Sequence, residues 1–507
     1  MRVLLILLLL SFACTCGRAQ TDDAYRATVR LAAAPDPEPV TDLLYGQFIE
    51  HLGRCVDGGI YDPGSPRSDE RGFRTDVLEL VRELNVPLLR FPGGTVTKIY
   101  DWKNGIGPLA ERKKRPNLIW GGNIQYGFGT AEFVAYCREI GAEPMLVVNM
   151  ATDSPLSASE WVEYCNGTGD THWANLRRQH GYPEPFNVKY WGIGNEESAQ
   201  PDAGRHYVVD DYIADTWQFL KLMKLQDPTI DVTVVGDTRD QAWNRRVLAD
   251  LHPAADHLAV HFYAVPNDST YPALLRSVYQ YDAYLDTMRR HLAPLPPTGG
   301  LSRWYRFAGR AQPLKLAVDE WGIWNMDSPK GRGAYRLEYP FHWGHALGTA
   351  AFLNMFYRHH DLIGLATWAQ TVNVLAPIMT SPDSAWTQTV YRPLVEYRRR
   401  MLPRHLPLTV SAPPTPGAPL ALDAVATMSE DGRELTMALI NLDPERWADV
   451  NVELAGYGAK TLHVYNSTDV YDTRPINESL GLRGHGLPDD GTLYLPPASI
   501  SFLSVRR

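Results

Sequence analysis

Short apolar runs that end in polar residues recur through residue 402, and stretches of helical spacing separate them. Leu43–His51, Val86–Phe91, Ala142–Met150, Lys189–Glu197, Asp231–Gly236, His257–Tyr263, Leu314–Trp321 and Leu362–Gln370 read as eight buried strands. Between them, Phe73–Asn85 places Val77, Leu80, Val81 and Leu84 on one helical side. Thr130–Gly141, Tyr207–Leu225, Gln241–Leu251, Tyr271–His291 and Phe341–His359 read as further helices. This alternation predicts an α/β protein with a (β/α)8 barrel, and the count of eight favours a closed barrel over an open sheet.

Beyond Leu402 the texture changes. A Pro- and Ala-rich stretch at 403–419 reads as a boundary, and short alternating runs follow. Leu435–Ile440, Val450–Leu454, Thr461–Tyr465, Thr492–Leu495 and Ser499–Val505 predict a C-terminal all-β, jelly-roll-like sandwich. An alternating strand at Ala24–Leu31 is expected to join it. The expected division is a signal peptide at 1–19, an N-terminal strand segment at 20–40, a catalytic barrel at 41–402 and a sandwich at 403–507. The signal peptide rests on Arg2, the apolar run Val3–Ala13 and the small residues Gly17 and Ala19 before a cleavage point. Secretion or periplasmic export is the expectation, with a lipid anchor on Cys14 or Cys16 as the alternative; the run is too short to span a bilayer.

Composition narrows the function classes. With 507 residues, 44% hydrophobic and 21% charged, the chain is an ordinary globular protein large enough for two domains. A net charge of −9 disfavours a general nucleic-acid binder. After cleavage three cysteines remain, Cys55, Cys137 and Cys165, and they read as buried thiols rather than a disulfide framework. Four sequons begin at Asn166, Asn267, Asn466 and Asn477. No glycine-rich phosphate loop, Gly-x-Ser-x-Gly elbow or His-Glu-x-x-His run occurs, so nucleotide, serine-esterase and zinc-protease readings lose support, and no metal or cofactor is expected.

The chemistry concentrates at strand ends. Lys189–Glu197 closes in Gly194-Asn195-Glu196, and Leu314–Trp321 closes in Asp319-Glu320-Trp321. Carboxylates at the carboxyl ends of barrel strands sit where such barrels carry catalysis. Two glutamates on one face suit glycosidic cleavage, one as proton donor and one as nucleophile. Asn195 offers an amide for a sugar hydroxyl. His261 and Tyr263, two apart on one strand, share a face, and Tyr263 is placed to bond a nucleophile. Glu50, Arg90 and Gln370 also end strands, and Arg90 would hold a carboxylate in its charged form.

These residues carry a family resemblance. The runs Phe48–Arg54, Arg90-Phe91-Pro92-Gly93-Gly94, Phe128-Gly129-Thr130, Gly194-Asn195-Glu196, His261-Phe262-Tyr263, Asp319-Glu320-Trp321 and Gln370–Met379 resemble the alpha-L-arabinofuranosidases of glycoside hydrolase family 51. The resemblance implies a retaining mechanism with Glu196 as acid/base and Glu320 as nucleophile. It also implies a furanose pocket lined by Glu50, Asn195, Tyr263 and Gln370, no metal, an arabinofuranosyl oligo- or polysaccharide substrate from plant cell walls, and often a homo-oligomer. The chain departs from the family pattern at Thr95 and Tyr126, where relatives carry asparagine. The alternatives are action on another furanoside, endo-cleavage of a β-glucan or xylan, and a carbohydrate-binding protein without catalysis.

Overall fold

Eight parallel strands close into a barrel in chain order, and the eighth pairs with the first through Thr367 and Gly46. They are Gly46–Phe48, Leu88–Phe91, Glu143–Val148, Tyr190–Ile193, Asp231–Val235, His257–Ala264, Lys315–Ile323 and Ile363–Ala369. The computed structural model describes residues 24–32, 36–198, 204–295, 307–310, 312–324, 337–454, 460–476 and 492–506. The expected signal peptide at 1–19 and the Asn477 sequon lie outside the described residues.

Each helix foreseen from the periodicity forms within a few residues of its expected bounds. The first strand is shorter than its apolar run suggests. Thr41 accepts the N–H of Leu43 and caps a 3-10 turn over Asp42–Tyr45, which takes up the first third of that run. Three helices were not foreseen. Pro155–Asn166 starts from Ser154, whose hydroxyl accepts the N–H of Ser157, with Pro155 in the first turn. His172–Gln179 is polar with few apolar marks, so its period is faint in the sequence. Tyr391–Arg400 ends the barrel segment and packs on the helix Trp343–Arg358.

Apart from two short two-stranded ribbons, Arg115–Pro116 with Asn123–Ile124 and Ile378–Thr380 with Ala385–Thr387, the other described strands form two antiparallel-rich sheets of four and six strands. Tyr25–Leu31 runs parallel to Ala448–Glu453 and antiparallel to Leu408–Ser411, so the N-terminal chain is built into the C-terminal sheets. The Pro-rich stretch expected as a boundary in fact holds two strands. Arg404–Leu406 belongs to the six-stranded sheet and Leu408–Ser411 to the four-stranded one. Pro407 between them lacks an N–H, so the chain loses nothing in leaving one ladder for the other there.

The three cysteines are buried and free. Asn166 is a sequon only on paper. Its amide donates to Val188 O and Asp227 and its carbonyl accepts from Val188 N, so a glycan there would break the fold locally. No described helix is long and apolar enough to cross a membrane.

Candidate active site

At the carboxyl mouth of the barrel, buried charge is gathered around Arg90. This side chain ends the second strand and is fully buried. Its Nη1 lies 2.8 Å from Glu320 Oε1 and its Nε 3.3 Å from Asp319 Oδ2, while its Nη2 donates to Asn195 Oδ1 at 2.6 Å. The guanidinium also lies over the Phe48 ring at 4.5 Å. One planar fork thus joins the first, second, fourth and seventh strands, a task for arginine rather than lysine.

Asp319 and Glu320 are consecutive, and a regular strand would send them to opposite faces. The seventh strand breaks register with the sixth between Ala259 and His261 and with the eighth between Val318 and Trp321. That bulge lets both carboxylates reach Arg90. Trp321, next in the chain, packs against Phe356 and Trp368 in the layer outside the barrel.

Glu320 is held at both oxygens. Arg90 takes Oε1, and the hydroxyl of Tyr263 donates to Oε2 at 2.7 Å. His261, two residues before Tyr263, places Nδ1 2.8 Å from Glu196 Oε1 and Nε2 3.4 Å from Asp319 Oδ1. Oxygens of Glu196 and Glu320 and a ring nitrogen of His261 all lie within 4.8 Å of one another. Close carboxylates and a histidine could in principle hold a cation. Here both Glu320 oxygens already accept hydrogen bonds, and the imidazole sits between acids that favour its charged, non-ligating form.

Titration follows from these partners. Burial works against the imidazolium of His261, but Glu320, Asp319 and Glu196 together raise it well above the usual histidine range. Burial likewise works against the charged form of Glu196, yet the hydrogen bond and charge of His261, helped by Lys98 and Arg90, bring it down to about 2. Burial and the charge of Glu320 push the Tyr263 hydroxyl well up, so it remains a donor.

Glu50, from the loop after the first strand, closes the opposite side. Its Oε1 accepts from Val96 N and Trp120 Nε1, both at 3.0 Å, and its Oε2 accepts from Gln370 Nε2 at 2.7 Å. Gly93 and Gly94 make this approach possible. A Cβ on Gly93 would lie 2.6 Å from Glu50 Cγ, and one on Gly94 would lie 2.6 Å from Glu320 Oε1. Burial and the like charge of Glu320 lift Glu50 to about 7, against opposing donors. The stability of its neutral form is therefore fully present below the unfolded value of 4.5 and lost as pH rises through about 7. Wild type is expected to lose stability relative to Glu50→Gln between about pH 5 and about pH 8. Denaturant unfolding at both pH values measures this, and an unchanged difference would contradict it.

All eight side chains singled out in the sequence meet here. Among the described residues Asn195 Nδ2 and Gln370 Oε1 are buried and have no partner, so each can offer a hydrogen bond to a ligand. On the side of Glu196, His261 and Tyr263 opens a cavity of about 450 Å³, lined also by Asp237, Arg239 and Trp324. Asp319, Trp120 and Lys98 escaped sequence reasoning. Asp319 alone carried a signal, as the neighbour of Glu320 at the end of an apolar strand. Of the two departures from the family pattern, Thr95 is buried next to Gly94. Tyr126 is buried among aromatic rings, 5.3 Å from Tyr100 and 6.4 Å from His51, and does not line the cavity.

A closed parallel barrel with two facing carboxylates at its carboxyl mouth defines a barrel glycoside hydrolase. Residues 80–290 match the alpha-L-arabinofuranosidase 1 domain, and residues 319–477 match the alpha-L-arabinofuranosidase C-terminal domain. The chain is 35% identical to alpha-L-arabinofuranosidase C of Emericella nidulans, covering 91% of this chain and 94% of the relative. It is 32% identical to an intracellular exo-alpha-(1->5)-L-arabinofuranosidase of Halalkalibacterium halodurans, covering 78% and 81%. Among solved structures, the thermostable family 51 alpha-L-arabinofuranosidase of Thermotoga petrophila RKU-1 superposes with a TM-score of 0.83 at 33% identity, covering 95% of this chain and all of that one (100%). The chain belongs to the alpha-L-arabinofuranosidases of glycoside hydrolase family 51.

Proposed function

We propose that this chain releases terminal alpha-L-arabinofuranosyl residues from plant cell-wall oligo- or polysaccharides, with Glu320 as nucleophile and Glu196 as acid/base. The observation that carries the reading is that an oxygen of Glu196 lies within 4.8 Å of an oxygen of Glu320, with no room for an attacking water between those two atoms and a sugar carbon. Double displacement works with carboxyl groups about 5–5.5 Å apart, whereas direct attack by water needs roughly 6.5–9.5 Å.

The steps follow from the contacts. An oxygen of Glu320 attacks the anomeric carbon as the glycosidic C–O bond breaks, and Glu196 delivers a proton to the departing oxygen. At rest that proton resides on the His261 side of the Glu196–His261 pair, because the carboxyl is strongly acidic and the imidazole strongly basic. A glycosidic oxygen docked at Glu196 draws it across. In the second half, Glu196 takes a proton from water, the water oxygen bonds to the anomeric carbon, and the Glu320 ester breaks. Arg90 and Tyr263 hold Glu320 in line for attack and for departure. Asn195 Nδ2, Gln370 Oε1 and Glu50 supply the polar contacts that sort sugar hydroxyls.

Hydrolysis of a panel of aryl glycosides tests the substrate class. Rapid release from the alpha-L-arabinofuranoside, with little from β-D-galactofuranoside, β-D-xyloside or β-D-glucoside, is the expected result. Preference for any of the others would move the specificity elsewhere while keeping the chemistry. Export through the N-terminal segment belongs to the same proposal, supported by the Arg2, Val3–Ala13 and Ala19 pattern.

A further inference from the structure

Next to Glu196 stands a second glutamate that the mechanism does not use. Glu197 is fully buried and does not line the cavity. Its Oε1 accepts the N–H of Asn195 at 3.3 Å, and its Oε2 lies 3.2 Å from His206 Nδ1. The other ring nitrogen, Nε2, lies 3.2 Å from Asp215 Oδ2. A histidine between two carboxylates donates from both nitrogens only as imidazolium. Burial disfavours that form, but Glu197 and Asp215 raise His206 above its ordinary range.

This chain of contacts braces an unusual backbone. Gly194 has φ 78° and Glu196 φ 46°, so the turn that delivers Glu196 is left-handed at a residue that rarely adopts such a geometry. The Glu197 carboxylate is packed against Gly194, where a Cβ would lie 2.8 Å from its Oε1. The His206 ring stands edge-on to Tyr212 at 5.4 Å, and the Tyr212 hydroxyl accepts the N–H of Val235 at 2.6 Å. The turn after the fourth strand is thereby tied to the helix Val209–Gln226 and to the fifth strand.

We infer that Glu197, His206 and Asp215 form a buried clamp that aims the Glu196 carboxyl at the departing oxygen. They are positioning residues: none touches the cavity, and each acts through the Asn195–Glu196 backbone. The inference rests on the reading of Glu196 as acid/base.

Leaving groups separate an aiming role from a merely structural one. A dinitrophenolate departs almost unaided, whereas the alkoxide of an arabino-oligosaccharide needs its proton. For His206→Gln, kcat/KM on an arabino-oligosaccharide is expected to fall roughly tenfold or more, and on the dinitrophenyl arabinofuranoside by less than about threefold. Asp215→Asn, at the half-exposed far end of the clamp, should shift the same ratio by less and decides the matter if His206→Gln does not fold. Equal falls on both substrates, or no fall on either, would overturn the inference. Glu196→Gln runs alongside. If it too treats both substrates alike, the acid/base reading fails; if it separates them and the clamp variants do not, the clamp alone fails.

Discussion

Replacing Glu320 with alanine is expected to lower turnover by at least about 10³-fold while leaving the protein folded. The loss is large because, in the proposed mechanism, this side chain supplies the bond-forming oxygen. Asp319, its neighbour in the chain, is held by Arg90 Nε and by His261. Folding should survive because Arg90 keeps Asp319 and Asn195 as partners after Glu320 is gone. The truncated side chain leaves room for a small anion on the attacking face. Azide should restore part of the activity on an activated aryl arabinofuranoside and give a glycosyl azide of inverted configuration. Turnover within about tenfold of wild type would remove Glu320 from the chemistry.

Arg90→Ala should be the most destabilising single change in the site. It strips the shared counter-ion from Asp319 and Glu320, which are 3% and 6% exposed, and leaves Asn195 Oδ1 without its donor. Breaking a buried ion pair from one side costs about 3–5 kcal/mol, because the remaining charge stays out of water. Asp319 feels this directly, since burial alone would raise its carboxyl and Arg90 leads the groups that lower it. Arg90→Lys should recover only part of the loss, as one ammonium cannot meet Asp319, Glu320 and Asn195 with the geometry of a planar fork. Thermal or denaturant unfolding of both variants measures the effect. A stability near that of wild type for Arg90→Ala would show that the network is not held together through this residue.

Much of this was readable before any coordinates. The barrel strands are apolar runs buried on both faces, and a polar residue ending such a run stands out, so Glu196, Glu320, Arg90 and Gln370 could be picked singly. The period of two correctly put His261 and Tyr263 on one face. Their partners were less legible. The bulge that turns Asp319 toward Arg90 depends on register between strands, which no single run encodes. Glu197 sits beside a conspicuous residue, yet its meaning depends on His206, just before the helix read at Tyr207–Leu225, and on Asp215 within it, and that helix's period does not point to Glu197. Tyr126, one of the two departures from the family pattern, lies in a ring cluster with Tyr100 and His51, a placement set by the fold and not announced by its neighbours in the chain.

A double displacement at Glu320 and Glu196, whose nearest oxygens lie within 4.8 Å, is tested most directly by the configuration of the first product. Wild-type enzyme would act on an aryl alpha-L-arabinofuranoside in aqueous methanol while proton NMR follows the anomeric signal. Two displacements at one carbon restore the starting configuration, so methyl alpha-L-arabinofuranoside is the predicted product. The β anomer would mean a single displacement by solvent and would contradict the roles assigned to Glu196 and Glu320.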